Sequence, residues 1–227
     1  MNLPDIIVAI DGYSSTGKSS FAKLVAREFG FVYLDSGAVY RAVTLFAREE
    51  GLISASDEVD PALQERLGSL DVHFGQDGIH IGDRLVEKEI RSLEVSGQVS
   101  PISALPYVRN FVDAHLHEWG CRGRIVMDGR DIGTTVFPEA QIKVFMTASE
   151  EVRVQRRFDE LKAKGENPSP EEVRSNLRER DYIDSHRETS PLKRADDSFL
   201  LDNSHMSFDE EIAWIKGLVQ GKFTILE

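Results

Sequence analysis

The chain of 227 residues has one cysteine, Cys121. A single thiol closes no internal disulfide and builds no cysteine metal cluster, which points to a reducing compartment. Long apolar runs are missing too. "IIVAI" and "IKVFM" are strand-sized, far short of the roughly 20 residues that span a bilayer. No secretory leader is visible, because the N-terminal apolar run closes at Asp11. Positive charge is in deficit: Lys and Arg total 27 against 39 Asp and Glu, a formal net charge of −12. Nucleic-acid binding is driven by phosphate neutralisation, so this balance argues against it. A polyanion bound here is small and held by local arginines, not by the overall field. The guanine-reading tetrapeptide N-K-x-D is absent, which argues against a GTPase switch. A motor-type ATPase is disfavoured by the acidic single unit. No internal repeat or low-complexity tract occurs. The expectation is a cytoplasmic protein with no membrane and no nucleic acid as partner. It is read as a monomer, because nothing marks a sizeable exposed apolar patch.

Glycine and hydroxyl groups, by contrast, are concentrated in one place. "GYSSTGKSS" runs from Gly12 to Ser20, between the apolar "IIVAID" and the helical pattern "FAKLVAREFG". Gly12, Gly17, Lys18 and Ser19 fit the phosphate-loop spacing G-x-x-x-x-G-K-[ST]. In such a loop the backbone N–H groups, here through Tyr13, Ser14, Ser15, Thr16 and Ser20, turn inward on phosphate. The next helix starts at the anion, with its positive end facing it. Lys18 reaches the β/γ-phosphates and the Ser19 hydroxyl sits on Mg²⁺. The expected nucleotide is ATP, with Mg²⁺ as cofactor.

Short apolar strands alternate with helical patterns along the chain. "IIVAI" is followed by a helix from about Ser19 to Phe29, and Phe31–Leu34 by a helix running to about Glu50, capped by Asp35 or Ser36. Arg124–Asp128, Ile142–Met146 and Phe199–Asp202 read as further strands, and "FDEEIAWIKGLVQG" as the closing helix. This alternation predicts an α/β fold with a central parallel sheet covered by helices on both faces. Ligands in such sheets bind outside the carboxyl ends of the strands. Gly12–Ser19, Asp35–Gly37, Asp128–Asp131 and Asp202–Asn203 would gather there.

Two stretches interrupt the alternation. Leu70–Val86 alternates apolar and polar residues around the turn signals "QDG" and "GD", and predicts a small antiparallel meander. It is flanked by helical "PALQERLGS" and "PYVRNFVDAHLHEW". Glu150–Arg194 is densely charged, carrying Arg153, Arg156, Arg157, Arg174, Arg178, Arg180 and Arg187, and "GENPSP" divides it into two helices. Such a stretch is either a solvated face or a closing lid over phosphate, and both readings stand for Arg153 and Arg174. His115 and His117 are two apart in a helical pattern, point to different faces and make a poor metal pair.

Several motifs in order, "GYSSTGKSS", "DSGAVYR" (Asp35–Arg41), "EIRSLEVS" (Glu89–Ser96), "LPYVR" (Leu105–Arg109), "DGRDIGT" (Asp128–Thr134) and "RERDYIDSHRETSPL" (Arg178–Leu192), together resemble the bacterial cytidylate kinases of the nucleoside monophosphate kinase family. The resemblance covers nearly the whole chain. The phosphate loop alone identifies only a superfamily, whereas the combination is far more specific. It implies a P-loop kinase with an enlarged monophosphate-binding insertion carrying the small antiparallel sheet, and a helical lid. Residues 1–227 form a single kinase unit, with 1–35, 121–149 and 195–227 as core, 36–120 as monophosphate-binding lobe and 150–194 as lid. The implied reaction is ATP plus CMP or dCMP giving ADP plus CDP or dCDP. The alternative is a kinase for another nucleoside monophosphate or a small acceptor such as shikimate or gluconate. The chain departs from the family pattern at Tyr13, where proline is frequent, and at Ser15 and Thr16, where small residues are. Tyr13 bears on nucleotide affinity or on the acceptor's approach. Ser19-Ser20 stands where the family often has Gly-Thr.

The resemblance also implies roles. Arg41 and Arg130 clamp the acceptor phosphate, to which the planar guanidinium donates in pairs; the alternative for both is a surface ion pair. Ser36 and Tyr40 belong to the same CMP site. Ser100, Arg109 and Asp131 read the cytosine edge, unless Asp131 is a helix cap or an ordinary turn residue. Asp184 takes the sugar, with Arg180 near it; Arg180 and Asp184 are also four apart, the spacing of an intrahelical pair. Arg180 and Arg187 come onto the transferring group when the lid closes. Arg157 contacts ATP, unless it lies on a solvated helix face. Asp35 and Asp128, each ending a strand, orient Mg²⁺-bound water or the acceptor, with a helix cap as the alternative for Asp35.

Overall fold

The computed structural model describes residues 3–54, 58–75 and 77–223, apart from the side chain of Leu93. Two compact units emerge. One comprises Met1–Leu34, Gly120–His186 and Ser190–Glu227; the other comprises Asp35–Trp119 with Arg187–Thr189.

The first unit is built on β1 (Ile7–Gly12), which is followed at once by the loop and α1 (Lys18–Phe29). Helix α1 starts at Gly17 and ends at Gly30, whose N–H donates to the Ala26 carbonyl. Its buried stripe of Phe21, Ala22, Val25, Ala26 and Phe29 repeats at helical spacing and faces the sheet. Strand β2 (Val32–Asp35) closes the first βαβ turn and leads into the second unit.

In that second unit, α2 (Ser36–Glu49) is capped by Asp35, whose carboxylate accepts from the Ala38 N–H at 3.1 Å. Of the expected helical "PALQERLGS", only one turn, α3 (Leu63–Arg66), and a 3₁₀ turn at Leu67–Ser69 form. The predicted meander is present as β3 (Val72–Phe74), β4 (Ile79–Ile81) and β5 (Arg84–Leu85), antiparallel in that order. Helix α4 (Leu93–Ala104) was not expected from sequence, because Gly97 and Pro101 lie inside it. Ser92 caps it, and α5 (Pro106–Gly120) follows as predicted.

The chain then returns to the sheet as β6 (Ile125–Gly129), β7 (Ile142–Thr147) and β8 (Phe199–Asp202). The strand order is β2-β6-β1-β7-β8. Strand β1 pairs in parallel with β6 and β7, and β7 with β8. Helices α6 (Glu150–Ala163) and α7 (Pro170–His186) stand between β7 and β8, and α8 (Phe208–Phe223) closes the chain. The core joins Val8, Ile10, Val126, Val144 and Met146 of the sheet to Phe21 and Val25 of α1 and to Ile215 and Val219 of α8. Burying each such side chain contributes about 1.5–3 kcal/mol. The register sets Asp11 against Gly129 and Gly12 against Met146, so the carboxyl ends of three neighbouring strands come together beside the loop.

Candidate active site

The phosphate loop begins where β1 touches β7. At Gly12 (φ 149°) a Cβ would stand 2.1 Å from the Met146 carbonyl oxygen, so only glycine fits. Gly17 takes φ 88° at the start of α1. Ser15 between them holds φ 58°, the left-handed region that costs an L-residue roughly 1–2 kcal/mol. The Tyr13 carbonyl accepts from Lys18 Nζ at 2.6 Å and from Thr16 Oγ1 at 3.0 Å. Burial, and then the charge of Arg130, push the Lys18 amine well below the ordinary lysine range, against the pull of Asp128, Asp184 and Asp11.

Ser19 Oγ donates to Asp128 Oδ2 at 2.8 Å, and the Tyr33 hydroxyl donates to Asp128 Oδ1 at 2.7 Å. A hydroxyl and a carboxylate are the hard oxygen ligands that Mg²⁺ takes beside substrate phosphates and water, so these residues fit the ion. Among the described residues no group of three or more His, Cys, Asp and Glu forms an all-protein metal site, which Mg²⁺ with a nucleotide does not need.

The α6–α7 hairpin reaches the same loop. Arg153 Nη1 donates to the Ser14 carbonyl at 3.3 Å and pairs with Asp181, which accepts from the Ser14 N–H at 3.0 Å. The Arg153 guanidinium also lies 5.5 Å from the centre of the Tyr13 ring, which meets Phe145 edge-on. Arg153 is therefore largely buried against the loop instead of lying on a solvated face. Arg156 Nη1 donates to the Thr16 carbonyl at 3.1 Å. Arg157 is half-buried and pairs with Glu160 at 2.8 Å. Arg174 and Arg178 pair with Glu150. Hydrogen bonds from Arg178 and then Arg174 hold the Glu150 carboxyl down to about 2.

Arg130 follows β6. Its Nε donates to Asp184 Oδ2 at 2.7 Å and its Nη2 to Ser14 Oγ at 3.1 Å. Burial opposes its charge, but Asp184 together with Asp181 and Asp128 outweighs that and raises the guanidinium's pKa. Asp184 is thus drawn to Arg130, and Arg180 is half-buried on α7. Asp131 is buried, and its carbonyl accepts from the Thr135 and Val136 N–H groups in a wide turn, Ile132–Val136. Its carboxylate makes no capping hydrogen bond to that turn. The turn is held from behind by Asp11, which accepts from the Ile132 and Gly133 N–H groups at 2.7 Å each.

In the second unit Ser36 opens α2, with Tyr40 buried one turn on. Arg41 lies back over the helix start, where a Cβ on Gly37 would stand 2.9 Å from its Nη1. Asp35 both caps α2 and pairs with Arg91 at 3.2 Å. Arg109 is fully buried; it donates to the Ser103 carbonyl at 3.1 Å and lies 5.3 Å from the centre of the Tyr40 ring. Ser100 is buried on α4, and Arg187 is buried in the short segment Arg187–Thr189. The residues expected on the acceptor side are divided, with Ser36, Tyr40, Arg41, Ser100, Arg109 and Arg187 in one unit and Arg130, Asp131 and Asp184 in the other.

Residues 8–220 match the family model described as cytidylate kinase. The chain belongs to the cytidylate kinase family. It is 50% identical over 216 residues to a cytidylate kinase of Bacteroides fragilis, covering 92% of this chain and 94% of that one. A cytidylate kinase of Flavobacterium johnsoniae is 48% identical over 220 residues, covering 94% and 96%. An uncharacterized protein of Eubacterium ventriosum shares the fold, with a TM-score of 0.52 at 10% identity, over 96% of this chain and 99% of that one. Sequence reasoning on this cytidylate kinase family member gave no role to Asp11, Arg156, Asp181, Asn203 or Glu211. Asn203 and Asp11 were visible only as residues at strand ends. Asp181 and Arg156 carry no signal in a charged helical run, because Ser14 and Thr16 are 167 and 140 residues away; Glu211 is one of several acidic residues opening its helix, and nothing local marks it as the partner of Asn203.

Proposed function

We infer that the chain transfers the γ-phosphoryl group of ATP to CMP or dCMP, giving ADP and CDP or dCDP. Its activity is that of its family, ATP-dependent phosphoryl transfer to cytidylate. The observation that best supports the chemistry is the Ser19–Asp128 hydrogen bond beside the buried Lys18. On the donor side the loop N–H groups from Gly12 to Ser20 hold the ATP phosphates, with Lys18 neutralising β/γ charge and Arg157 adding a contact. Mg²⁺, held by Ser19 with Asp128 beside it, would offset charge on the phosphates.

On the acceptor side Arg41 and Arg130 bind the CMP phosphate and offset its repulsion from the γ-phosphate. Ser36 and Tyr40 belong to the same subsite. Ser100, Arg109 and Asp131 read the cytosine edge, and Asp184 takes the sugar. Arg130 exchanges Asp184 for phosphate when the acceptor arrives. Arg180 and Arg187 stabilise charge on the group in transfer, which is mostly what phosphoryl transfer asks of a protein. The segment 150–194 acts as a lid and limits wasteful hydrolysis by excluding water; 1–35, 121–149 and 195–227 form the core, and 36–120 is the monophosphate-binding lobe.

We place the protein in the cytoplasm as a monomer; fractionation and sedimentation check these two points. Among the described residues no helix is long and apolar enough to cross a membrane. The deciding experiment is coupled ADP release with CMP, dCMP, UMP, AMP and non-nucleotide acids. CMP or dCMP is expected to give the highest kcat/KM. A higher value for any other acceptor overturns the assignment.

A further inference from the structure

Asn203 follows β8 and is 3% exposed. Every hydrogen-bonding group it has is in use. Its N–H donates to the Thr147 carbonyl at 3.0 Å, and its carbonyl accepts from Arg156 Nη2 at 2.9 Å. Its side-chain Oδ1 accepts from Arg156 Nη1 at 3.1 Å. Its Nδ2 donates to the Thr16 carbonyl at 2.9 Å and to Glu211 Oε1 at 2.6 Å. The amide has one workable orientation. Thr16 and Glu211 present acceptors on one side and Arg156 presents a donor on the other, so a flipped amide would set oxygen against oxygen twice.

The Thr16 carbonyl is thus gripped from outside the loop by two donors, Asn203 Nδ2 and Arg156 Nη1. In a planar trans peptide the C=O and the following N–H point opposite ways. Holding the Thr16 carbonyl outward therefore turns the Gly17 N–H inward, to where the loop reading puts phosphate. Glu211, in the first turn of α8, is 2% exposed. Its Oε1 accepts from Asn203, and its Oε2 has no hydrogen-bond partner. Burial raises its carboxyl pKa, against the Asn203 hydrogen bond. Its contribution is to present an acceptor that fixes which way the Asn203 amide faces.

We propose that Asn203 is a positioning residue for the phosphate loop, oriented by Glu211, and that this pair sets the affinity for ATP and leaves that for CMP alone. The proposal rests on the reading of Gly12–Ser20 as the ATP loop. Lys18→Ala, run in the same assay, tests that reading separately: turnover retained in a folded Lys18→Ala protein removes the loop reading, whatever Asn203 does.

Asn203→Asp keeps the shape and replaces the donor with an acceptor. It is expected to lower Tm and to raise KM for ATP by roughly ten-fold, the scale of one lost hydrogen bond, with KM for CMP within about two-fold. Adding Glu211→Gln gives the carboxylate introduced at position 203 a donor, so Tm should recover. The Thr16 carbonyl still faces an oxygen, so KM for ATP should stay high. Should KM for ATP recover together with Tm, or KM for CMP rise in step with it, the pair is merely structural and the proposal fails. An unchanged KM for ATP in Asn203→Asp overturns it as well. If Asn203→Asp does not fold, Asn203→Ala removes the donor without adding charge and is read in the same way.

Discussion

Cytosine presents an amino donor where uracil presents a carbonyl oxygen, and a carboxylate suits only the first. Asp131 is buried and does not cap its own turn, so a helix-cap role does not account for it. Asp131→Asn supplies both a donor and an acceptor, so its amide turns to suit either base. The expected result is a fall in kcat/KM for CMP with UMP hurt less, narrowing the CMP/UMP ratio by about one to two decades. ATP affinity should stay near normal. A ratio as wide as wild type would make Asp131 a turn residue and move base reading elsewhere. A second prediction concerns Ser15, which is held at φ 58°. Ser15→Gly relieves roughly 1–2 kcal/mol of left-handed strain, offset by about 0.5–1 kcal/mol of added chain entropy in the unfolded state. A net gain of about 0.5–1 kcal/mol is expected in urea denaturation; a loss would mean that the Ser15 side chain stabilises the loop by more than its backbone costs.

Helices α6 and α7 pack on each other through a small cluster of their own, Val154, Leu161, Val173 and Leu177 with Phe158. The sheet core is much larger, so the hairpin has less apolar burial to lose before it opens. Its amides are expected to exchange faster than those of β1 and β6, and to slow when both nucleotides bind. Leu177→Ala, at about 2–4 kcal/mol for a buried leucine, should speed exchange in α6 and α7 and spare the sheet. Equal acceleration in every element would mean that the hairpin is not a separate unit of stability.

At this scale much of the fold is legible in sequence. Short apolar strands, the glycine-rich loop and the meander's turn signals are local patterns, and each appears where its pattern stands. Helix α4 was hidden because Gly97 and Pro101 imitate a break, while the buried Val95, Val99 and Ile102 bring tertiary support that local propensity does not register. The hold on the loop was hidden for a different reason. Ser14 meets Asp181 167 residues away, and Thr16 meets Asn203 187 away; no window of sequence contains both partners.

For the molecule as a whole, one buried carboxyl shapes the response to pH. Burial pushes Asp11 up to about 7, with Asp131 adding to it and the Gly133 and Ile132 N–H groups and Lys18 opposing. In the unfolded chain an aspartate titrates near 4. The folded protein therefore keeps a proton on Asp11 that the unfolded chain has released. Stability from this group is fully present below about pH 4 and is lost as pH rises to about 7. Tm is expected to fall from about pH 5 to about pH 7.5, and Asp11→Asn should flatten that fall; an unchanged slope would mean that Asp11 is ionised throughout. Glu150 runs the opposite way: its pairing with Arg178 and Arg174 is lost as pH falls from its ordinary range through about 2. Arg178 is exposed and Glu150 and Arg174 are only half-buried, so solvent screens the pairing and the effect is slight.

The contact between Gly12 and the Met146 carbonyl separates two kinds of inactive allele. A cell carrying a Gly12 variant would lose the enzyme itself, since the clash is with the neighbouring strand and the chain would be cleared by proteases. A cell carrying a Lys18 variant would, on the role proposed for Lys18, keep a full complement of inert protein. A genetic screen scored on growth would report the two positions as equivalent, whereas an immunoblot of the same colonies would tell them apart.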